Sequence, residues 1–455
     1  MRFPARSWAA GARSRLAVLA MSSMAIVALA AVAPASVAAG STVADPGSFT
    51  LQSRVGFQSG DDWEPSITSD RFGHEYVLYK HYDVTGGGTC ANCDVHLLFQ
   101  RSSDGGRTWT APRAVAPIAV NGGQYDPQIV VDPIDGRTVW VSFLQDDNSK
   151  IAVSRSTDFG ATWSKPQIVS GSQRGYDKDT LVVRGKTVAV AYSSATDAFA
   201  SVSLDGGAHW AMHRIFAGTN AATVPLSAGG GIDSHGAPFF SYETWDAAHS
   251  DTGDGPVTVW VVRSTDNGAH WTRKVIAVSG APFPCADCGF AFLSAQMNLR
   301  VGPDDTVYLL WNGTAGQTDF APERIFFSRS TDHGQTYSTP KQVSTAPAGT
   351  EHSFPALATG LHSGDVRLAW MDTRSGAWQV YYRVSNDGGT TLSTTVRISG
   401  FVPGYDYLTH AGFTLPYGDY MQLTVDDQGR TQAAFGEGPS YAGPGNIWVS
   451  HQIDG

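Results

Sequence analysis

Cysteine is scarce in this chain, and so is positive charge. Of 455 residues four are Cys, and 31 Lys and Arg stand against 41 Asp and Glu, a formal net charge of −10. That balance argues against nucleic acid as a partner, which calls for basic patches. Apolar runs long enough to cross a bilayer, about 20 residues, are missing after residue 39, so no later segment is a membrane span. Helical periodicity is equally scarce. Abundant aromatics, 50 Gly and short apolar runs fit an all-β chain instead.

What the sequence does contain is a phrase that returns six times. The copies are SSDGGRTW from Ser102, STDFGATW from Ser156, SLDGGAHW from Ser203, STDNGAHW from Ser264, STDHGQTY from Ser330 and SNDGGTTL from Ser385. Ser, Asp and the Gly two residues after that Asp never vary. The Asp residues (104, 158, 205, 266, 332 and 387) are spaced by 54, 47, 61, 66 and 55 positions. Repetition at that period is the mark of a propeller or solenoid. Each copy follows a short apolar strand such as His96–Arg101 or Thr258–Arg263, so each is a hairpin turn. The Asp accepts hydrogen bonds from its own turn, the Gly supplies a conformation costly to other residues, and the aromatic folds back over the turn. These Asp residues are therefore structural, and none is a catalytic candidate.

The phrase resembles the Asp-box, or BNR repeat, of the sialidase-like β-propellers, from about Phe49 to the end. The resemblance implies four-stranded blades, with the boxes on the face opposite the usual active site. Seven inner strands are expected, at EPSITSD (Glu64), DPQIVVD (Asp126), KDTLVVR (Lys178), VPLSAGG (Val224), MNLRVG (Met297), SFPALAT (Ser353) and YMQLTVD (Tyr420). The seventh set stops after Asn446–Gln452, with no box and no outer strand. The stretch Phe49–Val55 has no blade of its own. If it supplies the missing strand, the ring closes without an open edge. Seven blades are favoured; six, the number usual in sialidases, is the alternative.

Residues 1–39 read as a secretory signal: Arg2, Arg6, Arg13 and Arg15, then an apolar run from Leu16 to Ala33, then small residues at Val37-Ala38-Ala39. No Cys stands there for lipidation. A short linker, 40–48, leads into the propeller, 49–455. Cleavage would leave 27 basic and 41 acidic residues, a charge of 27 − 41 = −14. A secreted protein is expected, without membrane insertion. No oligomerisation signal is present, and a monomer is expected. The Cys fall in two pairs, Cys90 with Cys93 and Cys285 with Cys288. Local disulfides are favoured for a secreted chain; cross-loop disulfides and a zinc site are the other readings.

In a propeller the connections into the inner strands, and those between second and third strands, share one face around the central channel. Residues there are rich in carboxylates and aromatics, the groups that cleave and stack on sugars. Glu243, flanked by Tyr242 and Trp245, suits a general acid, because an apolar setting disfavours its ionised form. Tyr417, Asp419 and Tyr420 could supply an activated nucleophile. Asp372 and Arg374 offer a paired charge whose Arg could grip a substrate carboxylate, or a mutual turn contact. Trp63, Glu64 and Asp126 stand with Trp245 as substrate-binding candidates. No cofactor is expected, although some of the carboxylates could hold a structural cation such as calcium.

Sialidases hold the sugar carboxylate with three Arg residues, the first in an R-I-P-like opening motif, and use a Tyr nucleophile with a Glu partner and an Asp acid/base. Here the opening reads Trp63-Glu64-Pro65-Ser66-Ile67, with Glu where Arg is needed. Arg174, Arg300 and Arg374 could form a different cluster. The expected function is an exo-acting glycoside hydrolase resembling the exo-α-sialidases. A hydrolase or lyase of another glycan is one alternative, and the acidic, Arg-poor face inclines that glycan towards neutral. A non-catalytic propeller that binds glycan or protein is the other.

Overall fold

The computed structural model describes residues 43–57, 59–83, 95–116, 122–172, 175–194, 197–218, 224–245, 256–281, 296–314 and 318–454. Residues 1–39, expected to be a signal segment, lie outside the described residues, as does Arg174. So do Cys90, Cys93, Cys285 and Cys288, and with them the disulfides expected between Cys90 and Cys93 and between Cys285 and Cys288. The described residues contain no Cys and therefore no disulfide. Every regular element among them is a strand, and no helix is long and apolar enough to cross a membrane.

Seven antiparallel blades surround an axis. Their inner strands are Asp61–Ser69, Tyr125–Val131, Tyr176–Arg184, Val224–Ile232, Met297–Val301, His352–Thr359 and Leu415–Val425, and they define blades 1 to 7. Each inner strand packs against the next, and that of blade 7 packs against that of blade 1, so the ring is closed. The second strands, such as Glu75–Tyr82 and Val307–Thr314, are buried along their whole length. They are covered on both faces by neighbouring blades, which is why they read as continuous apolar runs rather than alternating ones. The core is accordingly divided into seven clusters, one at each junction between neighbouring blades. Tyr76, Leu78 and Phe99 of blade 1, for example, meet Ile129, Val141 and Phe143 of blade 2, and Val77 and Tyr79 meet Ala434 and Val449 across the closure.

The N-terminal segment does supply the missing outer strand of blade 7. Ser48–Phe49 pairs with the strand Asn446–Asp454 at Asp454 and Gln452, and Ser53–Arg54 pairs with the same strand at Val449 and Trp448. Two short pieces separated by an irregularity replace the single strand expected. Val55 then drops into the blade 7–blade 1 core.

All six repeated turns share one hydrogen-bond network. In the second, Ser156 Oγ donates to Asp158 Oδ1 at 2.7 Å and accepts from the Gly160 amide at 2.8 Å. The Asp158 carboxylate also takes the Thr162 amide at 2.8 Å and the Thr162 hydroxyl at 2.6 Å. Those bonds, the Thr162 hydroxyl foremost, hold Asp158 down to about 2. The residue four after the Asp is therefore part of the motif. It is Thr108, Thr162, Thr336 or Thr391 in four turns, and His209 or His270 in two, where the imidazole replaces the hydroxyl at 2.6 Å.

A second repeated turn joins first and second strands. Asp70, Asp233 and Asp426 each begin an Asp-x-x-Gly sequence and accept two backbone amides in their own turn, at 2.8 to 3.0 Å.

Candidate active site

The inner strands are not regular. In six of the seven blades the pairing with the second strand shifts at one level: between Trp63 and Ser66, Tyr125 and Gln128, Asp177 and Thr180, Ser227 and Gly230, Ser353 and Ala356, and Tyr417 and Gln422. Five of these bulges hold a left-handed residue other than Gly: Glu64 (φ 55°), Asp126 (48°), Lys178 (47°), Phe354 (49°) and Asp419 (62°). Blade 4 has Gly229 there, with φ 81°. Each non-Gly residue in that conformation costs about 1–2 kcal/mol, and such strain concentrates at functional sites. The bulges break the in-and-out alternation and bring a ring of charged side chains to the axis.

Within this ring, Lys80 Nζ bonds Glu64 Oε1, and Glu64 Oε2 accepts the Asp126 amide at 2.8 Å. Lys178 Nζ lies 3.3 Å from Asp126 Oδ1 and 3.0 Å from Asp419 Oδ2. One oxygen from each of Glu64, Asp126 and Asp419 falls within 4.8 Å of the others. Three carboxylates that close would suit a hard cation, but two lysine ammonium groups already lie against them. Burial works to raise Asp126, yet Lys178 beside it holds its carboxyl below the usual range. Burial likewise strips hydration from Lys178, but Asp126 and Asp419 keep it protonated well above the ordinary lysine value. Asp177, whose carboxylate accepts the Lys178 amide at 3.0 Å, is pushed up to about 7 by burial and by Asp126.

Beneath the ring lies a chamber of about 90 Å³, bounded by residues of blades 2 to 7, among them Lys178, Asp179, Glu243, Asn298, Asp419 and Tyr420. Several polar atoms around it have no protein hydrogen bond: Asp179 Oδ1, Glu243 Oε2, Asn298 Oδ1, Asp419 Oδ1 and the Tyr420 hydroxyl. Buried polar groups are ordinarily satisfied, so the cluster marks a place built for a polar guest. Burial pushes Glu243 well above the carboxylate range, with Lys178 the one opposing charge. Asp179, bonded by Ser142 Oγ, is raised for the same reason. The chamber thus joins a carboxyl kept neutral by burial, Glu243, to one kept ionised by lysine, Asp126, a separation of roles that acid–base chemistry needs. On the other side of the disc the channel opens into a funnel of about 610 Å³, and Arg300 reaches both spaces.

Glu243, Asp126, Asp419 and Tyr420 are thus brought together, with Glu64 beside them. Tyr417 is not in this group. Its hydroxyl is closed on Asp61 at 2.8 and 2.9 Å, its ring lies 4.3 Å from that of Trp63, and burial drives its ionisation far upward. The indole of Trp63 donates to the same Asp61 at 2.9 Å. Trp245 is buried in the core between blades 4 and 5. Asp372 and Arg374 form the mutual contact: Arg374 Nε lies 2.9 Å from both carboxylate oxygens, and the guanidinium carbon sits 4.1 Å above the Tyr381 ring. Of the three Arg residues considered as a cluster, Arg300 alone among the described residues lines the chamber. Burial lowers it to about 10, and it donates to the Leu299 carbonyl at 2.8 Å.

Lys80, Lys178, Gln296 and Asn298 were not legible as site residues. Gln296 bridges the bulges of blades 7 and 6, donating to the Asp419 carbonyl at 3.2 Å and accepting the Phe354 amide at 3.1 Å. A signal did exist for Lys178. Aligning the inner strands puts it level with Glu64, Asp126 and Phe354, each followed by Pro.

No protein-family profile matches the chain, and no curated protein sequence does. Solved structures do match. A protein of unknown function from Dyadobacter fermentans is 16% identical over 89% of this chain and 98% of its own, with a TM-score of 0.53. A polysaccharide lyase, the PL25 ulvan lyase, is 10% identical over 87% and 95%, with a TM-score of 0.51. A Hadza microbial sialidase is 15% identical, with a TM-score of 0.46; the match takes in 87% of this chain and 66% of the sialidase. At these identities the likeness is one of fold.

Proposed function

We propose that the chain is a glycan-active propeller of the sialidase-like, Asp-box type, secreted after removal of residues 1–39, and that it acts as a glycoside hydrolase. Glu243 is the general acid. Asp419 is the carboxylate partner, with Oδ2 held by Lys178 and Oδ1 turned to the chamber without a protein bond. The observation that carries this reading is the pairing of a desolvated, neutral carboxyl with lysine-held carboxylates in one chamber. Of the two cations lining the chamber, Lys178 is already held by Asp126 and Asp419, and Arg300 alone is left to meet an anionic sugar. That balance favours a neutral sugar over a sialoside or uronate.

The test is hydrolysis of a panel of neutral nitrophenyl glycosides alongside a sialoside, by the wild-type chain and by Glu243→Gln and Asp419→Asn. Turnover of a neutral glycoside that both variants lose supports the reading. Turnover that survives in Glu243→Gln overturns it. A second reading has its own observation. The Tyr420 hydroxyl lines the chamber without a protein hydrogen bond, and although burial pushes its ionisation to higher pH, a lyase would need such a group to move a proton. Unsaturated products absorbing in the ultraviolet would favour that reading.

A further inference from the structure

A second constellation lies at the chamber end of blade 1, where the second strand (Glu75–Tyr82) and third strand (Val95–Ser102) approach each other. His81 and His96 are directly opposed across these strands, with ring centroids 5.3 Å apart. Asp83 follows the end of the second strand. One ligand atom from each of His81, Asp83 and His96 falls within 4.8 Å of the other two.

The tautomer of His81 is fixed from behind. Its Nδ1 meets the carboxylate of Asp62 at 2.8 Å, and both residues are fully buried. Asp62 is held in turn by Arg54 at 3.4 Å and by its own amide, which donates to the Gly445 carbonyl at 3.2 Å. With Nδ1 donating to Asp62, the Nε2 lone pair faces Asp83 Oδ1 at 3.5 Å. A lone pair and a carboxylate oxygen need a positive charge between them. At 3.5 Å the gap is long for a hydrogen bond. It fits two ligands sharing a tetrahedral ion, which stand about 3.3 Å apart when each bond is about 2.0–2.1 Å. A carboxylate behind a metal-binding His is the usual outer-shell support.

We infer that His81 Nε2, His96 and a carboxylate oxygen of Asp83 form a binding site for one divalent transition metal ion, zinc by its donor set. Two imidazole nitrogens and one carboxylate select a borderline metal over calcium or magnesium, which take oxygen. Three protein ligands leave a fourth position open. Asp83 is half-exposed, so that position is reachable from solvent. The ion would tie together the ends of two strands beside the chamber.

The test uses the full-length mature protein, stripped with a chelator and titrated with zinc against a fluorescent zinc indicator, with metal content read in parallel. One zinc per chain is expected, with a raised melting temperature. His96→Ala and Asp83→Asn are expected to weaken binding at least about 100-fold, and Asp62→Asn about 10- to 100-fold through His81. Asp83 is half-exposed, so its variant remains informative if changes at the buried His81 impair folding. A separate cluster of Asp233, His235 and His333 lies in turns at the far end of the blades; His333→Ala is expected to leave affinity unchanged. Absence of zinc binding overturns the proposal. So does undiminished affinity in both His96→Ala and Asp83→Asn, which would mean that His81 pairs with Asp83 through a second ring proton.

Discussion

Replacing Lys178 tests the electrostatics of the axis most directly. Its ammonium is shared by Asp126 and Asp419 at 3.3 and 3.0 Å, and its side chain is 17% exposed, against 6% and 16% for the two carboxylates. Removing one member of a buried charge pair costs about 3–5 kcal/mol, because the remaining charge loses its partner and stays dehydrated. The residual exposure puts Lys178→Met at the lower end, about 3 kcal/mol near neutral pH. The loss should depend on pH. In the wild-type chain Lys178 lowers Asp126, a contribution present above the unfolded Asp value of about 3.9 and lost as pH falls through the folded one. In the variant the same carboxyl is raised by burial, which penalises the fold increasingly as pH rises above about 3.9. Both effects make the deficit large at neutral pH and small near pH 4. Urea unfolding of both proteins at the two pH values measures it. Two further variants separate charge from backbone. Lys178 has φ 47°, so Lys178→Gly should be about 1 kcal/mol more stable than Lys178→Ala, although both lack the charge. A deficit below about 1 kcal/mol at neutral pH, or one that widens on acidification, refutes the reasoning, since a lost buried pair cannot behave in either way.

Other consequences are as concrete. If Glu243 is the acid, Glu243→Gln should lower turnover about 100- to 10,000-fold for an alkyl glycoside, and less for a nitrophenyl glycoside whose leaving group needs no proton. Because burial raises Glu243, wild-type activity should persist through neutral pH and fall on the alkaline side as that proton is lost; turnover already lost at neutral pH would assign the proton elsewhere. Deleting residues 43–57 strips the outer strands from blade 7 and uncovers Asn446–Asp454, so sedimentation should show more association than for the intact chain, with a lower melting temperature. Ser330→Ala removes the bonds to Gly334 and Asp332 at 2.8 and 2.7 Å and should cost about 1 kcal/mol. Combined with Ser156→Ala, three blades away, the losses should add.

The repeated turns made the architecture legible because each is a local device. Ser, Asp, Gly and the Thr or His four residues after the Asp satisfy one another within seven positions, so the sequence carries the whole structure. The closure was legible by elimination, since a blade without an outer strand and a strand without a blade leave one solution. The chamber was legible only in part. Glu243, Asp126, Asp419 and Tyr420 could be placed near the axis by counting blades, and Glu243 betrayed itself by its apolar neighbours. Lys80 could not be placed, and Lys178 only by aligning the inner strands, because strict alternation sends one of each adjacent pair outward and the bulges suspend that rule. Tyr417 shows the converse. It stands two residues from Asp419, but the bulge intervenes and its hydroxyl is spent on Asp61.

The bulges therefore connect fold and site. A seven-bladed ring leaves an axial space that small apolar residues could fill. Here four charged residues and Phe354 at one level occupy it instead, at a backbone cost of about 1–2 kcal/mol each. Stability alone gives no reason for this, since Gly229 meets the same geometry in blade 4 without the cost. Nor do the charges simply cancel: Glu64, Asp126 and Asp419 meet Lys80 and Lys178, three against two, and beneath them Glu243 and Asp179 are left to burial. An axis built only to hold blades together would have no use for unpaired carboxyls. One that must hold a proton at Glu243 while keeping a carboxylate ionised at Asp126 needs both lysine-rich and lysine-poor levels, stacked as they are here.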